Sequence, residues 1–92
     1  MMFNKNKIWF AGEVMTPVKR EGIKTNFTVK NNNDNEYMDI IMMGDLSYKA
    51  EKDVKVGNNI FIEGKIQTRE KICPGNIKKP ITKILAHDFE II

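Results

Sequence analysis

The stretch Gly57-Asn58-Asn59-Ile60-Phe61-Ile62-Glu63-Gly64-Lys65-Ile66-Gln67-Thr68-Arg69 decides the fold. It reads as a glycine turn, a strand and a basic polar exit. Ile60, Ile62 and Ile66 alternate with Phe61, Glu63, Lys65 and Gln67, so one face is apolar and the other mixed and polar. Gly64 interrupts the run. Glycine inside a strand marks a bulge, a sharp bend or a close backbone approach, and a strand coiling around a small closed barrel needs such a point.

Outward from this strand, the rest of the chain falls into short β segments. Ile8, Phe10, Gly12 and Val14 share one face of a first strand, Lys7 to Met15, with Trp9, Ala11 and Glu13 on the other. Thr16 to Lys24, holding Pro17 and Gly22 among charges, reads as a loop. A second strand, Thr25 to Lys30, puts Phe27 and Val29 on its apolar side. Asn31 to Asn35 is a turn, because Asn and Asp tolerate left-handed backbone and bond their own main chain. In a third strand, Glu36 to Met43, Met38, Ile40 and Met42 oppose Tyr37, Asp39, Ile41 and Met43. Gly44 ends it, and Asp45 is the expected cap of a helix from Leu46 to about Val54. After the Gly57 strand, Glu70 to Ile81 (with Pro74, Gly75 and Pro80) reads as a second loop. Thr82 to Phe89 is the fifth strand.

The order β-β-β-α-β-β is that of the five-stranded Greek-key barrel called the OB-fold. The expectation is an all-β protein with one short helix between strands three and four. At 92 residues it is expected to be one domain, 1–92, too small for a core plus a sizeable catalytic cleft. The net charge of +3 suits a polyanionic partner without requiring one. The lone cysteine, Cys73, excludes an internal disulfide and a Cys-based zinc cluster. A free thiol fits a reducing cytosol, so a cytoplasmic location is expected. No run reaches membrane-span length and the N-terminus has no signal-peptide pattern, so no membrane partner is expected.

Residue by residue, Gly57, Glu63-Gly64 and Gln67-Thr68-Arg69 look like the fourth strand of the bacterial single-stranded DNA-binding protein family, which typically reads KGxxVxVEGxLxTR. Asn6 to Val14 is similar to its opening NKVxLxGxL, Asn26 to Val29 to its second strand, Glu36 to Gly44 to its third, Leu46 to Val56 to its helix, and Thr82 to Phe89 to its last. Three departures stand out. The turn between strands two and three is short where the family often has a long hairpin with a stacking aromatic. Lys71 stands where an aromatic is common. The chain ends at Ile92 without the acidic, apolar tail tip that recruits replication proteins. Short tail-less relatives include primosomal replication protein N and divergent phage or plasmid proteins.

Binding single-stranded nucleic acid takes a positive track for phosphates and flat side chains for bases. Lys65, Arg69, Lys71, Lys78, Lys79 and Lys83 face Glu70 alone between positions 65 and 83; Lys19, Arg20 and Lys24 face Glu21 in the first loop. In an OB-fold these two loops flank the ligand groove. The bland alternative is a pair of solvated lysine-rich loops. Tyr37 is the leading stacking candidate, since it lies opposite the core stripe and aligns with an aromatic that stacks bases in the family. Trp9 has two readings of equal weight, base stacking or a subunit interface; for Phe61 the interface reading is stronger. Phe10, Phe27 and Phe89 read as core. Met43, aligned with a position often aromatic in the family, has a base contact and packing as its two readings.

No enzyme is expected. His87 is the sole histidine, Cys73 has no visible activator, and no glycine-rich phosphate loop or metal spacing occurs. No cofactor and no metal are expected. The resulting expectation is sequence-independent binding of single-stranded DNA in replication, recombination or repair. The site would comprise Tyr37, Trp9, Lys19, Arg20, Lys24, Lys65, Arg69, Lys71, Lys78 and Lys79. RNA stays open as a ligand, since OB barrels bind it too. An exposed Trp9, Phe61 and first-strand edge imply a homodimer or homotetramer. The alternative is a protein-interaction OB module of a primosome or replication-restart complex.

Overall fold

Alternating apolar residues along five strands build a sheet that curls until its first strand meets its third. The computed structural model describes residues 7–75 and 77–92; the side chains of 69–73 and 77–81 lie outside the description. The elements are β1 (Ile8–Val14), β2 (Lys19–Glu21), β3 (Lys24–Lys30), β4 (Tyr37–Met43), α1 (Asp45–Asp53), β5 (Asn59–Cys73) and β6 (Ile77–Ile91). The strand order is β1-β5-β6-β4-β3-β2, and a further β1–β3 pairing closes five strands into a barrel with β2 added to β3. Only β4 and β6 run parallel, with Ile40 opposite Ile84; the other pairs are antiparallel.

The inward row is the one the alternation predicts. Val14, Phe27, Val29, Ile40, Met42, Ile60, Ile62, Ile84, Ala86 and Phe89 form one buried cluster, closed by Ala50 and Val54 from the helix and its exit. Thr25 and Ser47 are also fully buried beside it. Filling the barrel this way removes most of its apolar side-chain surface from water, at roughly 25 cal/mol per Å².

Two glycines let the backbones close. A Cβ on Gly64 would overlap the Leu85 carbonyl oxygen and come within 2.8 Å of Ala86 Cα. A Cβ on Gly12 would overlap the Lys30 carbonyl oxygen, where β1 leaves β5 and crosses onto β3. The bulge itself is on the partner strand. Glu63 is opposite Asp88 and Gly64 opposite Ala86, so His87 is the extra residue. This bulge shifts the inward series on β6 from Ile84 and Ala86 to Phe89.

Four sequence expectations need correction. Thr16 to Lys24 is not all loop, because Lys19–Glu21 pairs with β3, Arg20 opposite Thr25. Glu70 to Ile81 is not a loop either: β5 runs to Cys73 and β6 starts at Ile77, turning at Pro74-Gly75. Pro80 is tolerated because this end of β6 pairs only with β5 among the described residues, and proline fits a free edge. The fifth strand is therefore longer than Thr82 to Phe89. Asp45 is not the helix cap; Gly44 is, without a side-chain cap bond, and Asp45 lies in the first turn, where its charge complements the helix dipole.

Candidate nucleic-acid interface

The outward residues of β3, β4, β6 and β5 form rows across the sheet, because register partners stand side by side on one face. One row is Asn26, Ile41, Leu85 and Lys65; the next is Thr28, Asp39, Lys83 and Gln67. Lys24 flanks Met43 at one end of β4 and Lys30 flanks Tyr37 at the other. Ile41 is buried despite pointing outward, since Asn26 and Leu85 cover it from both sides. The result is an apolar strip, Met43, Ile41 and Leu85, edged by Lys24, Lys30, Lys65 and Lys83.

Tyr37 stands at the open end of this strip, 57% exposed. The Lys30 ammonium lies 6.0 Å from its ring centroid, which places a cation and a flat ring within reach of one nucleotide. Thr28 Oγ1 donates to Asp39 Oδ1 at 3.0 Å, and the Thr28 backbone N–H donates to Thr16 Oγ1 at 2.9 Å.

The structure distributes the sequence-predicted site residues unequally. Tyr37, Lys24 and Lys65 lie on this face. Lys19 is exposed on β2 and pairs loosely with Glu21 at 3.7 Å. Arg20 is engaged within the molecule: its Nε is 3.2 Å from Glu51 Oε2 and its guanidinium 4.8 Å from the Tyr48 ring centroid. It ties β2 to α1. Arg69 and Lys71 belong to the outer end of β5 and Lys78 and Lys79 to that of β6; where their side chains point lies outside the described residues. Lys30 and Lys83, not among the sequence-predicted residues, stand on this face as well. Parity would have found them, since both fall at positions opposite the buried series.

Trp9 is elsewhere. It is 61% exposed on β1 beside its register partner Glu63, with Lys7 paired to Glu63 and lying 5.6 Å from the indole centroid. Phe61 is its neighbour across Ala11, and a groove of about 190 Å³ beside Phe61 is lined by Glu63, Asp88, Phe89 and Glu90. This second face is acidic. Among the described residues no His, Cys, Asp or Glu cluster is arranged to hold a metal ion, and no helix is long and apolar enough to cross a membrane.

A closed five-stranded barrel with a helix between its third and fourth barrel strands, and a lysine-edged aromatic face, defines an OB-type binding protein. The chain belongs to the single-strand binding protein family, whose profile matches residues 6–92. Among solved structures, the mitochondrial single-stranded DNA-binding protein Rim1 of S. cerevisiae superposes with a TM-score of 0.79 over 95% of this chain and 92% of that one. At 9% identity that likeness speaks for the fold alone. A search of curated protein sequences returns no match.

Proposed function

We propose that the protein binds single-stranded DNA without catalysis, on the outer face of β3, β4, β5 and β6, in replication, recombination or repair. The observation that carries this is the Tyr37–Lys30 pair at the end of the lysine-edged strip, in a chain of this family. Bases stack on Tyr37 and lie along Met43 and Leu85, the side chains that flank the buried Ile41. Phosphates follow Lys24, Lys30, Lys65 and Lys83. Each base stacked is worth about 1–3 kcal/mol. Each phosphate neutralised on a single strand adds about −0.7 to the slope of log K against log salt.

Anisotropy titration of a labelled mixed-sequence oligonucleotide, roughly 35 nucleotides long to span several OB sites, tests the reading. The expected result is salt-sensitive binding that a matched duplex does not displace. Folded protein that ignores the oligonucleotide would refute it.

Self-association is part of the same proposal, as homodimer or homotetramer. Strand β1 pairs with β5 from Ile8 to Glu13 but with β3 only at Glu13 and Val14, so Ile8 to Ala11 keep one edge free among the described strands. Natural sheets seldom leave such an edge uncovered.

A further inference from the structure

One carboxylate stands inside the lysine-edged face. Asp39 is exposed between Tyr37 and Ile41 on the outward side of β4, with Thr28 and Lys83 as its cross-strand neighbours. The Thr28 hydroxyl donates to Oδ1 at 3.0 Å, and among the described residues Asp39 has no ion-pair partner. The cations of the face stand on the flanking strands: Lys24 and Lys30 on β3, Lys83 on β6 and Lys65 on β5. The outward side of β4 itself carries Tyr37, Asp39, Ile41 and Met43, with no cation.

That division decides what lies over Asp39. A phosphate there meets a like charge, whereas lysines stand to either side, so the backbone keeps to the flanking strands and the bases to β4. Residues i and i+2 of a strand are about 7 Å apart, so a base stacked on Tyr37, or the next one along, reaches the carboxylate with its edge. An ionised carboxylate only accepts hydrogen bonds. Each of the four bases has an N–H donor on its Watson–Crick edge: N6 of adenine, N4 of cytosine, N3 of thymine and N1 of guanine. Base pairing occupies that edge in a duplex and leaves it free in a single strand. We propose that Asp39 accepts a hydrogen bond from the Watson–Crick edge of whichever base lies over β4, so that the face recognises an unpaired base without choosing among the four. The inference rests on the face being the single-strand binding surface.

The test uses an oligo-dT of about eight nucleotides, within one OB site, and the same strand methylated at N3 of every thymine, which removes the donor. Both are titrated into the wild type and Asp39→Ala. The ratio of the two affinities is the readout, because removing the charge eases phosphate binding for both strands alike. The wild type should hold the unmethylated strand about fivefold more tightly, the net worth of one hydrogen bond. In Asp39→Ala that ratio should fall toward one. Equal affinities in the wild type, or an unchanged ratio in the variant, would each overturn the Asp39 contact and leave the binding surface standing. Binding of neither strand, by wild-type protein that circular dichroism shows to be folded, would overturn the binding surface and the contact with it.

Discussion

Tyr37 and Trp9 are almost equally exposed, at 57% and 61%, yet they sit in opposite electrostatic settings. Beside Tyr37 stands Lys30, and along the strip that Tyr37 ends the outward charges are Lys24, Lys65 and Lys83, with Asp39 the one acid in the rows. Around Trp9 and Phe61 they are Glu63, Asp88 and Glu90, with Lys7 as the counter-charge. Exposure alone therefore says little about what an aromatic residue does. A nucleic-acid strand carries a charge at every step, so electrostatics alone would favour the first face over the second. The acidic face suits a protein surface instead.

The sharpest way to break both faces at once is at the point where β5 passes between them. Gly64→Ala forces a Cβ onto the Leu85 backbone, which a sheet cannot relieve by rotating a side chain. It should cost about 3 kcal/mol, the upper end for overpacking, read as a lower urea midpoint. A variant as stable as wild type would show that β5 and β6 can part there.

Separating the faces comes next. Tyr37→Ala should weaken single-stranded DNA binding by about 1–3 kcal/mol, one stacked base, with an unchanged thermal midpoint. Trp9→Ala should leave DNA affinity alone and shift sedimentation toward smaller species. Equal losses of DNA affinity in both variants would dissolve the distinction between the faces.

The smallest effects concern Arg20. Its ion pair with Glu51 is substantially solvated, the side chains being 35% and 49% exposed, so Glu51→Gln should reduce stability by less than about 1 kcal/mol in urea titration. Lys24→Ala should lower the salt slope of DNA binding by about 0.7, one phosphate contact. Arg20→Ala should not change it, because Arg20 is already engaged by Glu51 and Tyr48. An equal fall in slope for both would mean that DNA draws Arg20 off the helix.

The barrel was legible because its inward rows alternate along most of their length, the His87 bulge on β6 excepted. Ile60 and Ile62, Phe27 and Val29, and Ile40 and Met42 each needed only period two to be placed. Gly64 was legible as a close approach. The β5–β6 hairpin was not, because Pro74, Gly75 and Pro80 are loop residues by local chemistry; only pairing with β5 along a free edge makes Pro80 acceptable in a strand. Similarly, Lys19-Arg20-Glu21 has no apolar alternation, and β2 exists because β3 offers it an edge.

Within the candidate site, Tyr37 stands outward and exposed as parity predicts, and the same parity assigns Lys30 and Lys83 to its face. The sequence by itself determined which side chains face inward, the helix between the third and fourth barrel strands, and the mild excess of positive charge. Alternation and composition are local properties, and they survive without knowledge of neighbours. Only the tertiary structure decided that Arg20 is tied to Glu51 and that Trp9 stands among acids. It also placed Asp39 beside Thr28 and Lys83. Those facts depend on register between strands far apart in the chain, which is set when the barrel closes.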